Sequence, residues 1–367
     1  MEMSLYPAAK VTYHFEVVVY DGREFFDLKK PDFTRAIVSS AIDKAIRDIE
    51  NDANRSIRNL IDLVLKYTKG RFQRSLFKTF QAMMQNEHSA YYTLVKNIVA
   101  KVDHETIKTF GFNLGYNGCT NGAKLIRDNE CSYGFNIPWA VSFVLDRRGR
   151  LGVDRICHMV EQGRSLGIFT YLIFCNNGSA AEIPPLLSAY HDCAFVLFTE
   201  PAYLGSAVLD EVSLHKNVMT AVLSSNPEFA LAASELHKRR MLYSAYLFYG
   251  DANAGALMSG TWLDGVVNAS CAFAVLIPEP SCGAKAKAAV RQYVNDVRRR
   301  QESPVLLMDT ESDILLIDQI ISEDSCSIGF GSDGVAFDSF GTLEGTANNL
   351  WDFSLMQILR ENMQKDV

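Results

Sequence analysis

The sequence predicts an α/β chain: a partial, TIM-like (β/α) barrel preceded by a mainly helical N-terminal region. Three observations predict it. From Ile137 onward, short apolar runs alternate with amphipathic ones. The apolar runs are continuous, as strands buried on both faces of a parallel sheet are. Before about residue 101, apolar residues recur instead at helical spacing.

The first element is a strand, Val11–Tyr20, partly alternating, rich in β-branched and aromatic residues and ended by Asp21-Gly22. About four helices follow. Their apolar faces are Ile37 to Ile49, Ile57 to Leu65, Phe72 to Met83 and Tyr91 to Ile98, with Gly70 as a break. The glycine- and asparagine-rich stretch Gly111–Gly118 reads as a linker, with a short helix from Ala123 to Cys131 after it. Strands are expected at Trp139–Leu145, Thr170–Phe174, Ala194–Phe198, Val218–Leu223, Ser244–Phe248, Phe273–Ile277 and Val305–Met308. Helices between them cover Val153–Leu166, Ile183–Tyr190, Pro227–Met241 and Ala284–Arg300. Such alternation implies right-handed βαβ units. Six or seven units suit a barrel better than the alternative, an open doubly wound sheet. The expected division is 1–110, a strand plus helices; 111–136, a linker; 137–322, the barrel; and 323–367, a C-terminal extension.

Length and composition set limits on function. The chain has 367 residues, 48% hydrophobic and 22% charged, with net charge −7, which is a globular balance. No run of about 18 apolar residues and no secretory leader is read, so a cytoplasmic protein without membrane contact is expected. Eight cysteines occur, at 119, 131, 157, 175, 193, 271, 282 and 326, with no C-x-x-C pair. Zinc and redox motifs are therefore not signalled. No Gly-x-Ser-x-Gly elbow and no Walker-type loop appears.

The C-terminal stretch carries a resemblance. Cys326 precedes a glycine-rich turn, Asp333-Gly334 follows, and Asn348, Ser354, Leu355 and Ile358 begin a last helix. With the order of elements over residues 137–360, this resembles the radical SAM superfamily with a SPASM-like extension. The likeness implies a barrel that holds an iron–sulfur cluster and S-adenosylmethionine. The departures are specific. The loop Asp146–Val153, where three cluster cysteines are expected, has none, and Ser339 stands where a further cluster cysteine is expected. Asn176-Asn177-Gly178-Ser179 replaces the Gly-Gly-Glu-Pro step that holds the amino group of S-adenosylmethionine. Thiolates hold the iron in such clusters. The expectation is a cluster-less relative that needs no cofactor, with an iron–sulfur cluster and S-adenosylmethionine at an unusual site as the alternative.

Barrel sites lie at the C-terminal ends of strands. The polar residues there include Asp146, Asn176, Asn177, Glu200, Asp251, Glu279 and Asp309. Converging carboxylates suit a cationic or hydrogen-bonding ligand, or an acid–base pair; singly, such residues end strands and cap helices. The functional expectation is a binding protein for a small molecule or a protein or peptide partner, accessory to peptide maturation. An enzyme using the acidic mouth is the alternative. A third reading uses charge: Arg55, Arg58, Lys66, Lys69, Arg71, Arg74 and Lys78 face only Asp62 over residues 55–78. Such helices suit nucleic acid or another polyanion, or form a solvated face.

Overall fold

The computed structural model describes residues 33–49, 52–67, 78, 81–322, 324–339 and 341–365. Helices α1 (Phe33–Ile49), α2 (Ala53–Tyr67), α3 (Ala90–Lys101) and α4 (His104–Phe112) come first. Ile46, Ile57, Tyr92 and Val99 bring the apolar faces of α1 to α3 together, the burial that their spacing requires. The strand expected over 11–20, Gly70 and most of the helix face from Phe72 lie outside the described residues.

The stretch read as a linker is helical. Helix α4 runs into a π-helix, Asn113–Gly122, and then into α5 (Ala123–Tyr133). The Asn113 amide donates to the carbonyls of His191 and Cys193, and Asn117 donates to that of Asp192. A Cβ on Gly118 would sit 3.2 Å from Thr170 Oγ1, and one on Gly122 would sit 2.5 Å from the Gly167 carbonyl. Asparagine and glycine here serve close packing under the sheet, not a turn.

The sheet segment then runs β1 (Ala140–Asp146), α6 (Val153–Leu166), β2 (Thr170–Asn176), α7 (Pro184–Ala189), β3 (Ala194–Thr199), α8 (Ser206–Ser213) and β4 (Val218–Leu223). It continues through α9 (Phe229–Lys238), β5 (Tyr243–Tyr249), α10 (Ala254–Leu257), α11 (Thr261–Asn268), β6 (Phe273–Pro278), α12 (Ala284–Arg300) and β7 (Leu306–Asp309). Last come α13 (Thr310–Ser322), β8 (Ile328–Phe330), β9 (Ala336–Asp338), β10 (Gly341–Thr342) and α14 (Leu355–Asn362). All seven expected strands are present, with ends shifted by at most two residues.

Strand order is β10-β9-β8-β1-β2-β3-β4-β5-β6-β7. From β8 to β7 every pairing is parallel, while β9 and β10 run antiparallel. This is the neighbour order of a TIM-like barrel with one seam, between β7 and β8, left unpaired. Helix α13 crosses that seam. Its Ile314 packs on the inner face with Leu172, Val196, Phe198 and Val275. Its Asp318 accepts the backbone N–H groups of Trp139 and Cys326, at 2.9 and 2.7 Å. At the opposite end Phe110 of α4 packs on Ala194, Leu242 and Ala272, so α4 plugs the lumen where the strands begin. The outer face is covered by helices over a stacked row, Phe330, Phe143, Tyr171 and Phe195.

Helix α14 starts with a capping box: the Ser354 hydroxyl accepts the Gln357 N–H while the Gln357 side chain accepts the Ser354 N–H. Ser354→Ala should lower stability by about 1 kcal/mol. Urea unfolding checks this as a lower midpoint with an unchanged slope. A midpoint equal to that of the native chain rejects it.

Candidate functional site

The inner face of the sheet ends in aromatic rings. Phe174 on β2 and Phe198 on β3 share one register level. Their centroids stack 4.5 Å apart at 12°, and Phe198 meets Tyr246 of β5 edge-on at 5.3 Å. Tyr246 in turn meets Phe248 edge-on at 5.6 Å. Such offset and T-shaped pairs are the favoured aromatic geometries. Phe248 is 37% exposed, so this end of the row is uncovered. Burial pushes the Tyr246 hydroxyl above its ordinary range, and the nearby charge of Glu200 adds to that.

The polar residues at the strand ends fall into two groups. Asp146 and Asn177 clasp each other: the Asn177 amide donates to both carboxylate oxygens, at 2.9 and 2.7 Å. The Arg148 backbone N–H also donates to Asp146. These bonds hold the Asp146 carboxyl below its usual value, the Arg148 N–H first. Asn177 adopts φ +51° to make the clasp. Asn176 ends β2, exposed and one step along the register from the Cys175–Thr199 pair, which places it level with Glu200. Glu200 is exposed, and its side chain has no hydrogen-bond partner among the described residues. Beside it on the rim, Arg147 pairs with Glu182 at 3.1 Å.

The second group lies at β5 to β7. Asp251 accepts the Gly283 N–H at 3.2 Å. Glu279 lies against Gly250, where a Cβ would come 2.6 Å from its Oε2. The Cys282 thiol is pushed up by burial first, then by Asp251 and Glu279, which places both carboxylates near it. Asp309 is buried, accepting the Ser312 hydroxyl at 2.6 Å and the Tyr249 hydroxyl at 3.3 Å. Burial is the main reason its carboxyl is raised. Asp309 thus has partners of its own at the start of α13, while Glu200 and Glu279 remain turned to the rim.

Of the basic residues, Arg55, Lys66 and Lys78 are exposed. Arg58 pairs with Glu87 at 3.4 Å and lies 6.0 Å from the Tyr92 ring centroid. Lys69, Arg71 and Arg74 lie outside the described residues.

The loop after β1 is pinned to the C-terminal extension. The Ser332 carbonyl accepts the N–H groups of Arg150 and Leu151. The Arg150 guanidinium sits 4.3 Å from the Trp351 ring centroid, within cation–π range. Around this loop the side chains offer carboxylate, amide and guanidinium groups. Cys175, at the end of β2, points into the outer core, and burial pushes its thiol up to about 12. Among the described residues no three His, Cys, Asp or Glu side chains converge as a metal site. This donor set does not fit an iron–sulfur cluster, which takes thiolates. Among the described residues, no helix is long and apolar enough to cross a membrane.

No protein-family model and no curated protein matches the chain. Its structure is similar to that of Streptococcus suis SuiB bound to precursor peptide SuiA, with TM-score 0.50 and 10% identity over 68% of this chain and 70% of that one. SuiB bound to S-adenosylmethionine gives TM-score 0.48 and 11% identity, covering 68% and 69%. Native anSMEcpe with bound AdoMet and Cp18Cys peptide gives 0.42 and 11%, covering 61% and 81%. The expectation of a chain without a cofactor is corrected: SuiB, whose fold this chain resembles, is solved bound to S-adenosylmethionine. Missing cysteines speak to iron, not to a nucleoside bearing a sulfonium. By its strand order and its likeness to SuiB, the chain has a radical SAM-like fold, a half-barrel with a helical region before it.

Proposed function

We propose that the mouth of the half-barrel binds S-adenosylmethionine and that the chain serves peptide maturation as a binding protein. The observation that carries this is the aromatic row, uncovered at its Phe248 end, beside an unpartnered Glu200. Adenine stacks on ring faces, and ring faces also attract a sulfonium cation. The Glu200 carboxylate offers that cation a counter-charge, and Arg148 on the rim suits the ligand's own carboxylate. When bound, S-adenosylmethionine supplies an electrophilic sulfonium. The residues named here bind and orient it. The peptide part of the reading is supported by SuiB, which is solved with its precursor peptide. The placement of charge agrees with a small cationic ligand, since Asp146 is engaged by Asn177 while Glu200 is available.

Calorimetric titration tests this with S-adenosylmethionine and its neutral analogue S-adenosylhomocysteine. The cationic ligand should bind more tightly, and Glu200→Gln should remove most of that difference. Phe248→Ala should weaken both ligands about tenfold, the loss of roughly 1.4 kcal/mol of stacking. Absence of heat with either ligand at millimolar concentration rejects the reading.

A further inference from the structure

A pocket lies in the half-barrel, at the seam that α13 crosses. Its volume is about 180 Å³, the size of one ring-bearing side chain or a few waters. The walls are apolar on one side, formed by Phe174, Ile277, Ile314 and Phe337. The other side carries four hydroxyl groups, from Ser142, Thr310, Ser327 and Ser339. None of the four side chains has a hydrogen-bond partner among the described residues, and the Thr310 Oγ1 atom is fully buried. A hydroxyl is both donor and acceptor, and leaving one buried and unpaired costs stability. Four of them around one apolar space are matched by a guest with an apolar body and a polar, uncharged tip.

The geometry points to this cavity as a subsite for a phenol, the side chain of a tyrosine in a peptide. Charge argues against a cationic guest. Glu311, a carboxylate in the lining, is taken up by Lys287 at 2.8 and 3.1 Å. An anionic guest would meet Glu311 and Asp338 in the lining. A phenol presents one hydroxyl to the four, with its ring against Phe174 and Phe337. Phe174 also stacks on Phe198, so this pocket and the mouth assigned to S-adenosylmethionine share one aromatic row. The inference deepens that reading by naming a side chain of the peptide that the half-barrel would hold.

The test uses the full chain and two probes, N-acetyl-tyrosinamide and N-acetyl-phenylalaninamide, titrated by ligand-observed NMR. They differ by the one hydroxyl. A site built to hydrogen-bond a hydroxyl rejects the analogue that lacks it, so the tyrosine probe should bind at least tenfold more tightly. Thr310→Val and Ser142→Ala remove a hydroxyl without filling the space; each should bring the two affinities together. Equal affinities in the native chain, or no binding of either probe, overturns the inference, and this comparison stands even if a variant fails to fold. S-adenosylmethionine is titrated on the same preparation. Its binding without probe discrimination removes the phenol subsite alone, and probe discrimination without its binding removes the mouth assignment alone.

Discussion

Asp318→Ala should destabilise the chain by about 3 kcal/mol, because two buried N–H groups lose their only acceptor. Those groups belong to Trp139, which leads into β1, and Cys326, which leads into β8. One carboxylate on α13 therefore fixes the entry of two neighbouring strands. The same group makes stability depend on pH. Burial pushes its carboxyl up to about 7, against the pull of both N–H donors. In the unfolded chain a carboxyl of this kind titrates near 3.9. Between those values the native state keeps a proton that the unfolded state has released. The stabilisation is thus whole below about pH 4 and is lost as pH rises through 7. Asp318→Asn is neutral at every pH. The difference in melting temperature between it and the native chain should shift towards the variant from pH 5 to pH 8. A difference that stays constant over that range would show that Asp318 is ionised throughout.

Gly167→Ala should cost roughly 2–4 kcal/mol, the sum of a left-handed backbone and an overpacked contact. Gly167 ends α6 at φ +103°, and an added Cβ would lie 2.7 Å from the Gly122 carbonyl and 2.8 Å from the Ile126 nitrogen. Both are backbone atoms of the π-helix and α5, held by many bonds, so neither can step aside cheaply. Gly134 provides the control. It also has a positive φ, +78°, but nothing lies within 4 Å of its added Cβ. Gly134→Ala should therefore cost only the backbone share, about 1 kcal/mol. Equal losses for the two variants in urea unfolding would mean that the contact between the two glycines carries no energy.

The strands were readable because a parallel strand buried on both faces is a continuous apolar run, and Ala194–Thr199 is one. The same property hid the site. With both faces apolar, nothing in Phe174, Phe198 or Tyr246 marks which ring points inward. The signal available was position: Phe174 and Phe198 each stand two residues before a polar strand exit, Asn176 and Glu200, and so share its face. Helix α13 was missed because Ile314, Leu315, Leu316 and Ile317 follow one another without a polar stripe. Part of that run faces the lumen while Leu316 is exposed. The linker expected at 111–118 failed for a different reason. Glycine marks a turn when it supplies φ, but Gly118 and Gly122 supply room for a neighbouring backbone. The strand-end carboxylates were found by rule, yet the rule says nothing of partners, which is why buried Asp309 and open Glu200 looked alike.

The unpaired seam between β7 and β8 changes how a polymer can reach the interior. A ring sealed by hydrogen bonds all round admits a long chain only end first, or by a single protruding group from above. A ring with one unsealed side needs neither a free end nor a hairpin. Here, among the described residues, helix α13 crosses the gap, and its Asp318 holds the entries of β1 and β8. Under the peptide-binding role proposed above, a peptide is taken in broadside, from the middle of its sequence, with both of its ends still outside.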